Sequence, residues 1–267
     1  MRKMLLALVV SAVFLLNTAI VSAESTRADF DTAKLDTGVI GISYTSSVQK
    51  IKVLIEKNDK RYAYNLNNGG VEESFSLQMG NGDYKVSVLE NTSGDKYKYI
   101  STKNVTLNMA DKNQVYLTSV QNVNWDEDKA AVRKAKELTE NLDSNKDKLD
   151  AIYEYIVSNF RYDHNKLGKL ETTYLPDIDD TLSTKKGICY DYASTFAAML
   201  RSIGIPAKLV KGYSTNVNGY HAWNEVFLED TSSWIIIDTT YDSQMKEAKA
   251  KYNMEKKAAQ YTKVNEY

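Results

Sequence analysis

The chain has 267 residues, enough for two ordinary domains at about 150 residues each. Lys and Arg number 34 against 35 Asp and Glu, so the formal net charge of -1 argues against a protein that binds nucleic acid by electrostatic attraction. The chain has a single cysteine, Cys189, which therefore cannot form an internal disulfide.

The first predicted element is a secretory signal peptide, residues 1–23. Basic residues precede an apolar run from Leu5 to Leu16, and Val21-Ser22-Ala23 has the small residues of a cleavage site. The run is shorter than the roughly 20 residues that a membrane-spanning helix needs, and no second apolar segment follows it. We therefore expect a mature protein that starts at Glu24, is secreted or associated with the cell wall, and leaves the membrane after cleavage.

Residues 24–122 predict an all-β domain. Short alternating apolar runs, rich in Tyr and Val, are separated by turn sequences such as Gly80-Asn81-Gly82-Asp83. About seven strands at this spacing are typical of an immunoglobulin-like β-sandwich. Because no catalytic constellation is present here, we expect a spacer or a surface that binds wall polymer or protein.

The pattern changes near Trp125, and residues 123–245 predict a second domain of the α+β class. Acidic residues after Trp125 lead into an apolar stripe, which indicates the start of a helix. In the next amphipathic helix, Leu149, Ile152 and Ile156 share one face, which we expect to pack on a core.

Cys189 begins a further helix that is predicted to run to Ile203, with Gly204 and Pro206 marking its end. The thiol shares the helix's apolar face but lies in the first turn, at the positive end of the helix dipole. That position favours the nucleophilic thiolate, whereas a cysteine in the middle of a helix would be inert packing. A buried structural cysteine is the alternative.

Three strands follow this helix: Ala207–Ser214, Tyr220–Leu228 and Trp234–Asp238. If residues 229–232 form a four-residue hairpin loop, Asp238 lies opposite Trp223 and one diagonal step from His221, on the same face. A loop that is one residue longer would turn Asp238 to the other face. Asp238 at a strand end could also simply cap a turn.

Two further segments are assigned no chemistry. The acidic residues Asp177, Asp179 and Asp180 lack the glycine and the distal glutamate of a calcium-binding EF-hand loop, so we expect no metal and no cofactor. The tail, residues 246–267, is rich in Lys, Glu and Ala and predicts a solvated helix or a frayed end.

Four blocks of sequence resemble the transglutaminase-like superfamily. They are Gly187-Ile188-Cys189 with Asp191-Tyr192-Ala193, the run from Leu200 to Ala207, Gly212-Tyr213, and His221-Ala222-Trp223 followed by Trp234 and Asp238. The resemblance covers about residues 125 to 245 of the sequence. It implies a papain-like core, in which a helix bearing Cys189 packs on an antiparallel sheet bearing His221 and Asp238.

The resemblance also implies a reaction and a role for each site residue. Cys189 is the expected nucleophile, His221 the base, and Asp238 the group that orients the imidazole. The expected substrate is a protein or peptide amide, converted to a thioester that water resolves in a hydrolase and an amine resolves in a cross-linking transferase. The alternative to an enzyme is a non-catalytic surface module that keeps a remnant of the triad.

One departure from the family pattern concerns the oxyanion. Animal cross-linking members place a tryptophan upstream of the cysteine, and papain-like proteases place a glutamine there. Neither residue type occurs between Tyr174 and Cys189. The main-chain N–H of Cys189 is one expected oxyanion donor, and the sequence assigns no second donor.

Overall fold

The computed structural model describes residues 27–267, so the predicted signal peptide lies outside the described residues. Within that range the first half contains seven strands: β1 (Asp29–Asp31), β2 (Val39–Ser43), β3 (Ile51–Lys57), β4 (Lys60–Leu66), β5 (Glu73–Ser76), β6 (Gly82–Ser93) and β7 (Lys96–Leu107). They form two antiparallel sheets with strand orders β1-β2-β5 and β4-β3-β6-β7. The predicted strands are confirmed except for the run from Val115 to Leu117, which lies in a short 3-10 helix, Gln114–Leu117. The assignment to an immunoglobulin-like sandwich stays a prediction.

Alternation explains why these segments form strands. In β3, Ile51, Val53 and Ile55 are buried, whereas the intervening Lys52 and Leu54 are only half-buried. Successive side chains of a strand point to opposite faces, so β3 presents one apolar face to the core.

The second half of the described chain mixes helices and strands. The helices are α1 (Ala130–Thr139), α2 (Asn145–Asn159), α3 (His164–Leu167), α4 (Ile178–Thr184), α5 (Cys189–Arg201) and α6 (Thr239–Glu247). The strands are β8 (Arg161–Tyr162), β9 (Lys186–Gly187), β10 (Ala207–Ser214), β11 (Val217–Leu228), β12 (Ser233–Ile237), β13 (Glu255–Lys256) and β14 (Tyr261–Glu266).

Helix α5 lies against an antiparallel sheet, as the resemblance implied. The sheet has the order β13-β12-β11-β10-β14, and α5 contacts both β10 and β11. Helices α1, α2, α4 and α6 surround α5 as well. The side-chain amide of Asn224 fastens the helix to the sheet, because it donates hydrogen bonds to the carbonyl of Ala193 at 2.9 Å and to that of Lys208 at 3.0 Å. The predicted α+β fold, in which the helix bearing Cys189 packs on an antiparallel sheet, is therefore confirmed.

The hairpin between β11 and β12 has the predicted register. Leu228 pairs with Ser233, so the loop consists of the four residues 229–232. Asn224 pairs with Ile237, the last residue of β12. The next step along the same register brings Asp238 level with Trp223, which keeps the aspartate on the face that carries His221.

The prediction for residues 246–267 is wrong, because this tail belongs to the central sheet. Strand β13 pairs with β12, and β14 pairs with β10. An edge strand is held by main-chain hydrogen bonds and needs few apolar side chains. The charged composition of residues 246–267 therefore did not indicate a strand. Its charges are used at the exposed edge, where Lys263 pairs with Glu225 at 2.8 Å and with Glu266 at 2.6 Å.

The two halves of the chain are joined through buried groups. Their buried apolar residues form one continuous cluster, so a boundary between separate domains at residue 123 stays a prediction. Arg201, at the end of α5, donates hydrogen bonds of 2.8 Å to the carbonyls of Thr118, Ala207 and Tyr267. Burial lowers the pKa of this guanidinium to about 9. The Arg201 side chain thus links three parts of the fold: the segment around Thr118 that connects the two halves, the start of β10, and the residue that follows β14.

Within residues 27–267, none of the helices is long and apolar enough to cross a lipid bilayer.

Candidate active site

Cys189 is the first residue of α5, where the sequence predicted it, and its side chain is half-buried. Gly187 precedes it because the chain is crowded at this point. A Cβ on Gly187 would lie 2.6 Å from the Cβ of Asp191, far inside contact distance. The glycine therefore lets the first turn of α5 close tightly behind the thiol.

Asp191 fixes that first turn. Its side chain is fully buried, and Oδ2 accepts a hydrogen bond from the main-chain N–H of Ile188 at 2.8 Å. The same oxygen lies 2.9 Å from the Lys166 ammonium, and the Tyr174 hydroxyl donates to Oδ1. A carboxylate that accepts a main-chain N–H at a helix start stabilises that start, so Asp191 holds Cys189 in place.

His221 and Asp238 meet through the β11–β12 hairpin. The Nε2 atom of His221 lies 2.8 Å from Oδ2 of Asp238, and the histidine is 3% exposed while the aspartate is fully buried. The other oxygen of Asp238 accepts the main-chain N–H of Tyr241 at 3.0 Å, which caps α6. Asp238 therefore does both things that the sequence allowed, because one oxygen caps a helix and the other holds the imidazole.

The electrostatics of His221 link it to both neighbours. Burial favours the neutral ring, but the hydrogen bond and charge of Asp238, with the hydrogen bond and charge of Cys189, outweigh that effect and raise the pKa of His221 to about 10. The imidazole therefore carries its proton at neutral pH. Since Asp238 occupies Nε2, Nδ1 is the nitrogen left for the thiol of Cys189.

Lys211 of β10 adds a positive charge to this region. Its ammonium lies 3.5 Å from the ring centroid of Tyr190 and 5.2 Å from that of Tyr267. Burial lowers the pKa of Lys211 to about 8, while the negative charge of Cys189 opposes that change. Lys211 is thus within electrostatic range of the thiol, with aromatic faces supporting the ammonium.

The acidic residues that follow Leu175 have structural roles in the described chain. Asp177 caps α4 by accepting the main-chain N–H groups of Asp179 and Asp180, and Asp179 accepts that of Ala131 at 3.0 Å. Within residues 27–267, no group of three or more His, Cys, Asp and Glu side chains is arranged to hold a metal ion.

The structure therefore brings Cys189, His221 and Asp238 together, and their catalytic roles stay a prediction. Sequence reasoning gave no role to Asp191, Lys211 or Tyr261, the last of which donates a hydrogen bond to Asp238. The role of Asp191 could have been predicted from the sequence, because Asp191 follows Ile188 by three positions, which is the spacing of a capping box. No sequence pattern indicated the role of Tyr261, since its contact with Asp238 depends on where β14 joins the sheet.

The family comparison covers this part of the fold. Residues 132–239 match the model of the transglutaminase-like superfamily. These residues are a transglutaminase-like domain. Members of the superfamily are cysteine proteases or acyltransferases. The matched segment includes Cys189, His221 and Asp238, whereas Tyr261 and the whole of β14 lie beyond it.

Relatives of the transglutaminase-like domain occur inside much longer proteins. The uncharacterized protein YebA of Bacillus subtilis is 31% identical over 129 residues, which cover 40% of this chain and 17% of YebA. A protein-glutamine gamma-glutamyltransferase of Pseudomonas aeruginosa is 32% identical over 97 residues, which cover 30% of this chain and 14% of that enzyme. The chain thus matches less than a fifth of either relative.

Solved structures show more distant likenesses to the chain. A candidate cysteine protease from Cytophaga hutchinsonii is 19% identical with a TM-score of 0.44, and the match covers 76% of this chain and 74% of that one. Red sea bream transglutaminase is 12% identical with a TM-score of 0.31, over 76% of this chain and 48% of that one. Likenesses this distant say nothing about the reaction.

Proposed function

We propose that this protein is a cysteine acyltransferase or hydrolase that forms a thioester from protein or peptide amides. The observation that carries the proposal is the position of His221, whose ring interacts with Asp238 through Nε2 at 2.8 Å and with Cys189. A thiol, an imidazole and a buried carboxylate in this order are the components of nucleophilic amide cleavage.

The first half-reaction starts from a thiolate–imidazolium pair. The Cys189 sulfur attacks the amide carbonyl carbon, and the π electrons of the carbonyl move to its oxygen. When the tetrahedral intermediate collapses, the carbon–nitrogen bond breaks and the proton on His221 passes to the leaving nitrogen. Ammonia or an amine departs, and the acyl group remains on sulfur as a thioester.

The second half-reaction regenerates the pair. Neutral His221 removes a proton from water or from a primary amine as that nucleophile attacks the thioester. The carbon–sulfur bond then breaks, releasing an acid or a new amide and restoring the thiolate. Asp238 holds the ring in one orientation during both steps, because its second oxygen is fixed by the start of α6.

Two features of the described chain support charge stabilisation during attack. The main-chain N–H of Cys189 lies in the first turn of α5, where such groups have no acceptor within the helix. It can therefore donate to the oxyanion. The Lys211 ammonium adds a positive charge close to the reacting sulfur.

The test is incubation with a glutamine-bearing protein and a labelled primary amine. We expect label on the protein if an amine resolves the thioester, and deamidation or shortened products if water does. Cys189→Ala and His221→Ala should abolish both outcomes. His164→Ala is the matched control, because His164 is the other histidine of the chain and is exposed on α3. Absence of every product from the wild type would favour a non-catalytic binding module.

We propose in addition that the protein is exported and acts outside the cell or at its wall. The support is the pattern of residues 1–23, with basic residues, an apolar run and a small-residue cleavage site. N-terminal sequencing of the protein recovered from culture medium should begin at Glu24. A protein that stays in the cell with its N-terminus intact would contradict export.

A further inference from the structure

Tyr261 lies at the start of β14 and contacts the candidate site. Its hydroxyl donates a hydrogen bond to Oδ2 of Asp238 at 2.9 Å, the same oxygen that receives Nε2 of His221 at 2.8 Å. Two donors therefore converge on one carboxylate oxygen. One comes from the strand that carries the histidine, and the other comes from a strand outside the family match.

The direction of this hydrogen bond follows from the carboxylate, which can only accept, and a third side chain is consistent with it. The amide Nδ2 of Asn216 donates to the Tyr261 hydroxyl at 3.4 Å. Because an amide nitrogen has only protons to offer, the hydroxyl oxygen accepts from Asn216, and its own proton is directed to Asp238. Burial raises the pKa of Tyr261, and the charge of Asp238 adds to that effect, so the hydroxyl keeps its proton at working pH.

The ring of Tyr261 is also held in place. It packs edge-on against Trp223, with ring centroids 5.0 Å apart, and Trp223 in turn stacks with His221 at 6.3 Å. The main chain of Tyr261 pairs with Ser214 of β10. A residue whose ring and main chain are both fixed can place its hydroxyl reproducibly.

We propose that Tyr261 is a positioning residue, which holds Oδ2 of Asp238 toward His221 and moderates the attraction of the carboxylate for the imidazolium proton. The proposal rests on the acyl transfer proposed above. A carboxylate that accepts a second hydrogen bond has less charge to share with His221. The imidazolium can then release its proton to the leaving nitrogen more readily.

Other charged groups also face the pair, and the test must separate them. Cys189 of α5 interacts directly with His221, and Asp242 of α6 interacts with Asp238 through charge. The experiment therefore uses the Cys189→Ala background, which removes the thiol, and leaves Asp242 unchanged. Tyr261→Phe then deletes one hydroxyl and keeps the ring against Trp223.

The measurement is a pH titration of ¹⁵N-labelled histidine by NMR. The chain has two histidines, so His164 serves as the internal reference for His221. We expect Tyr261→Phe to raise the pKa of His221 by about 0.5 to 1 unit, and 3-fluorotyrosine at position 261, a stronger donor, to lower it. Tyr99→Phe, which removes an exposed hydroxyl on β7, should leave the value unchanged.

The outcomes separate this proposal from the proposed function. With Cys189 present, we expect Tyr261→Phe to lower kcat about threefold to tenfold and to leave KM unchanged. A His221 pKa that moves with neither Tyr261→Phe nor 3-fluorotyrosine overturns the positioning role, even if activity is lost. A shift in both directions with no detectable turnover by the wild type supports the hydrogen bond and refutes the reaction instead.

Discussion

Gly212→Ala tests how strand β14 depends on one glycine of β10. A Cβ at this position would lie 2.1 Å from the main-chain oxygen of Thr262 and 2.9 Å from the Trp223 ring. An ordinary contact is about 3.5 Å, so the substitution forces β14 to move by more than about 1 Å. Such a movement breaks the pairing of Gly212 with Lys263 and of Tyr213 with Thr262.

The expected cost follows from the hydrogen bonds lost. Two to four main-chain bonds at about 1 kcal/mol each give a loss of about 2 to 4 kcal/mol in the free energy of unfolding. Urea denaturation measures that loss, and hydrogen exchange of the amides in residues 261–266 shows whether it is located in β14. Tyr261 is displaced as well, so the rate at which iodoacetamide alkylates Cys189 should depend on pH differently in this variant than in the wild type.

Gly168→Ala is the matched control for this experiment. Gly168 follows α3 with φ of -79°, and no heavy atom lies within 4 Å of the place that a Cβ would occupy. The control should change stability by less than about 0.5 kcal/mol. If Gly212→Ala is equally mild and leaves the exchange of β14 unchanged, the close approach of the two strands is not what requires glycine.

Three further substitutions test separate parts of the site. Arg201→Met removes a hydrogen bond from each of three carbonyls, of which that of Tyr267 still accepts the Leu209 N–H, and should lower the free energy of unfolding by about 3 to 5 kcal/mol in urea. A loss below about 1 kcal/mol, as expected for the exposed Arg133→Met, would contradict the linking role. Asp238→Asn can keep the cap of α6 but removes the charge that raises the pKa of His221 to about 10, so the ring should lose its proton at lower pH and the alkaline limb of the rate profile should move toward pH 6.5; an unmoved limb argues against the pair. Lys211→Met should lower the ratio of the Cys189 alkylation rates with anionic iodoacetate and neutral iodoacetamide about threefold to tenfold. The exposed Lys186→Met should leave this ratio unchanged. An equal ratio in both variants would show that Lys211 does not act on the thiol.

The His221–Asp238 pair also makes stability depend on pH in a defined direction. The pKa of His221 is raised above its ordinary value of 6.5 to about 10. The stabilisation from this pair is therefore fully present below pH 6.5 and is lost as the pH rises through about 10. Cys189 contributes to the raised pKa, so the decline should end below pH 10 in Cys189→Ala. Urea denaturation from pH 6 to pH 10 in this background should show the decline, and Asp238→Asn in the same background should reduce it.

The sequence was informative where local rules determine the structure. Cys189 could be placed in the first turn of α5 because Gly204 and Pro206 mark the end of the helix and the apolar spacing gives its face. The His221–Asp238 contact was predicted on the condition of a four-residue loop, from the two-residue alternation of a strand, and the structure has that loop. Both relationships act over a few positions, so they can be inferred without knowing the rest of the fold.

The contacts that escaped prediction are long-range. Strand β14 pairs with β10 although β11, β12, α6 and β13 lie between them in the chain. Its composition resembles that of a solvated tail because an edge strand is held by its main chain. Lys211 could have been taken for a surface charge on an amphipathic strand. Its proximity to Tyr190 and Cys189 depends on how α5 lies across the sheet, which no local pattern specifies.

Strand β14 lies late in the chain, so Tyr261 is synthesised after Cys189, His221 and Asp238. A nascent chain that ends before Tyr261 therefore contains Cys189, His221 and Asp238, while the Asp238 carboxylate still lacks one of its three hydrogen-bond donors. The same order makes the segment 248–254 a sensitive point, because a protease cut there would leave Cys189, His221 and Asp238 on one unbroken polypeptide and place β13 and β14, with Tyr261, on the other fragment. Loss of the Tyr261–Asp238 hydrogen bond would then need no cut near the thiol of Cys189.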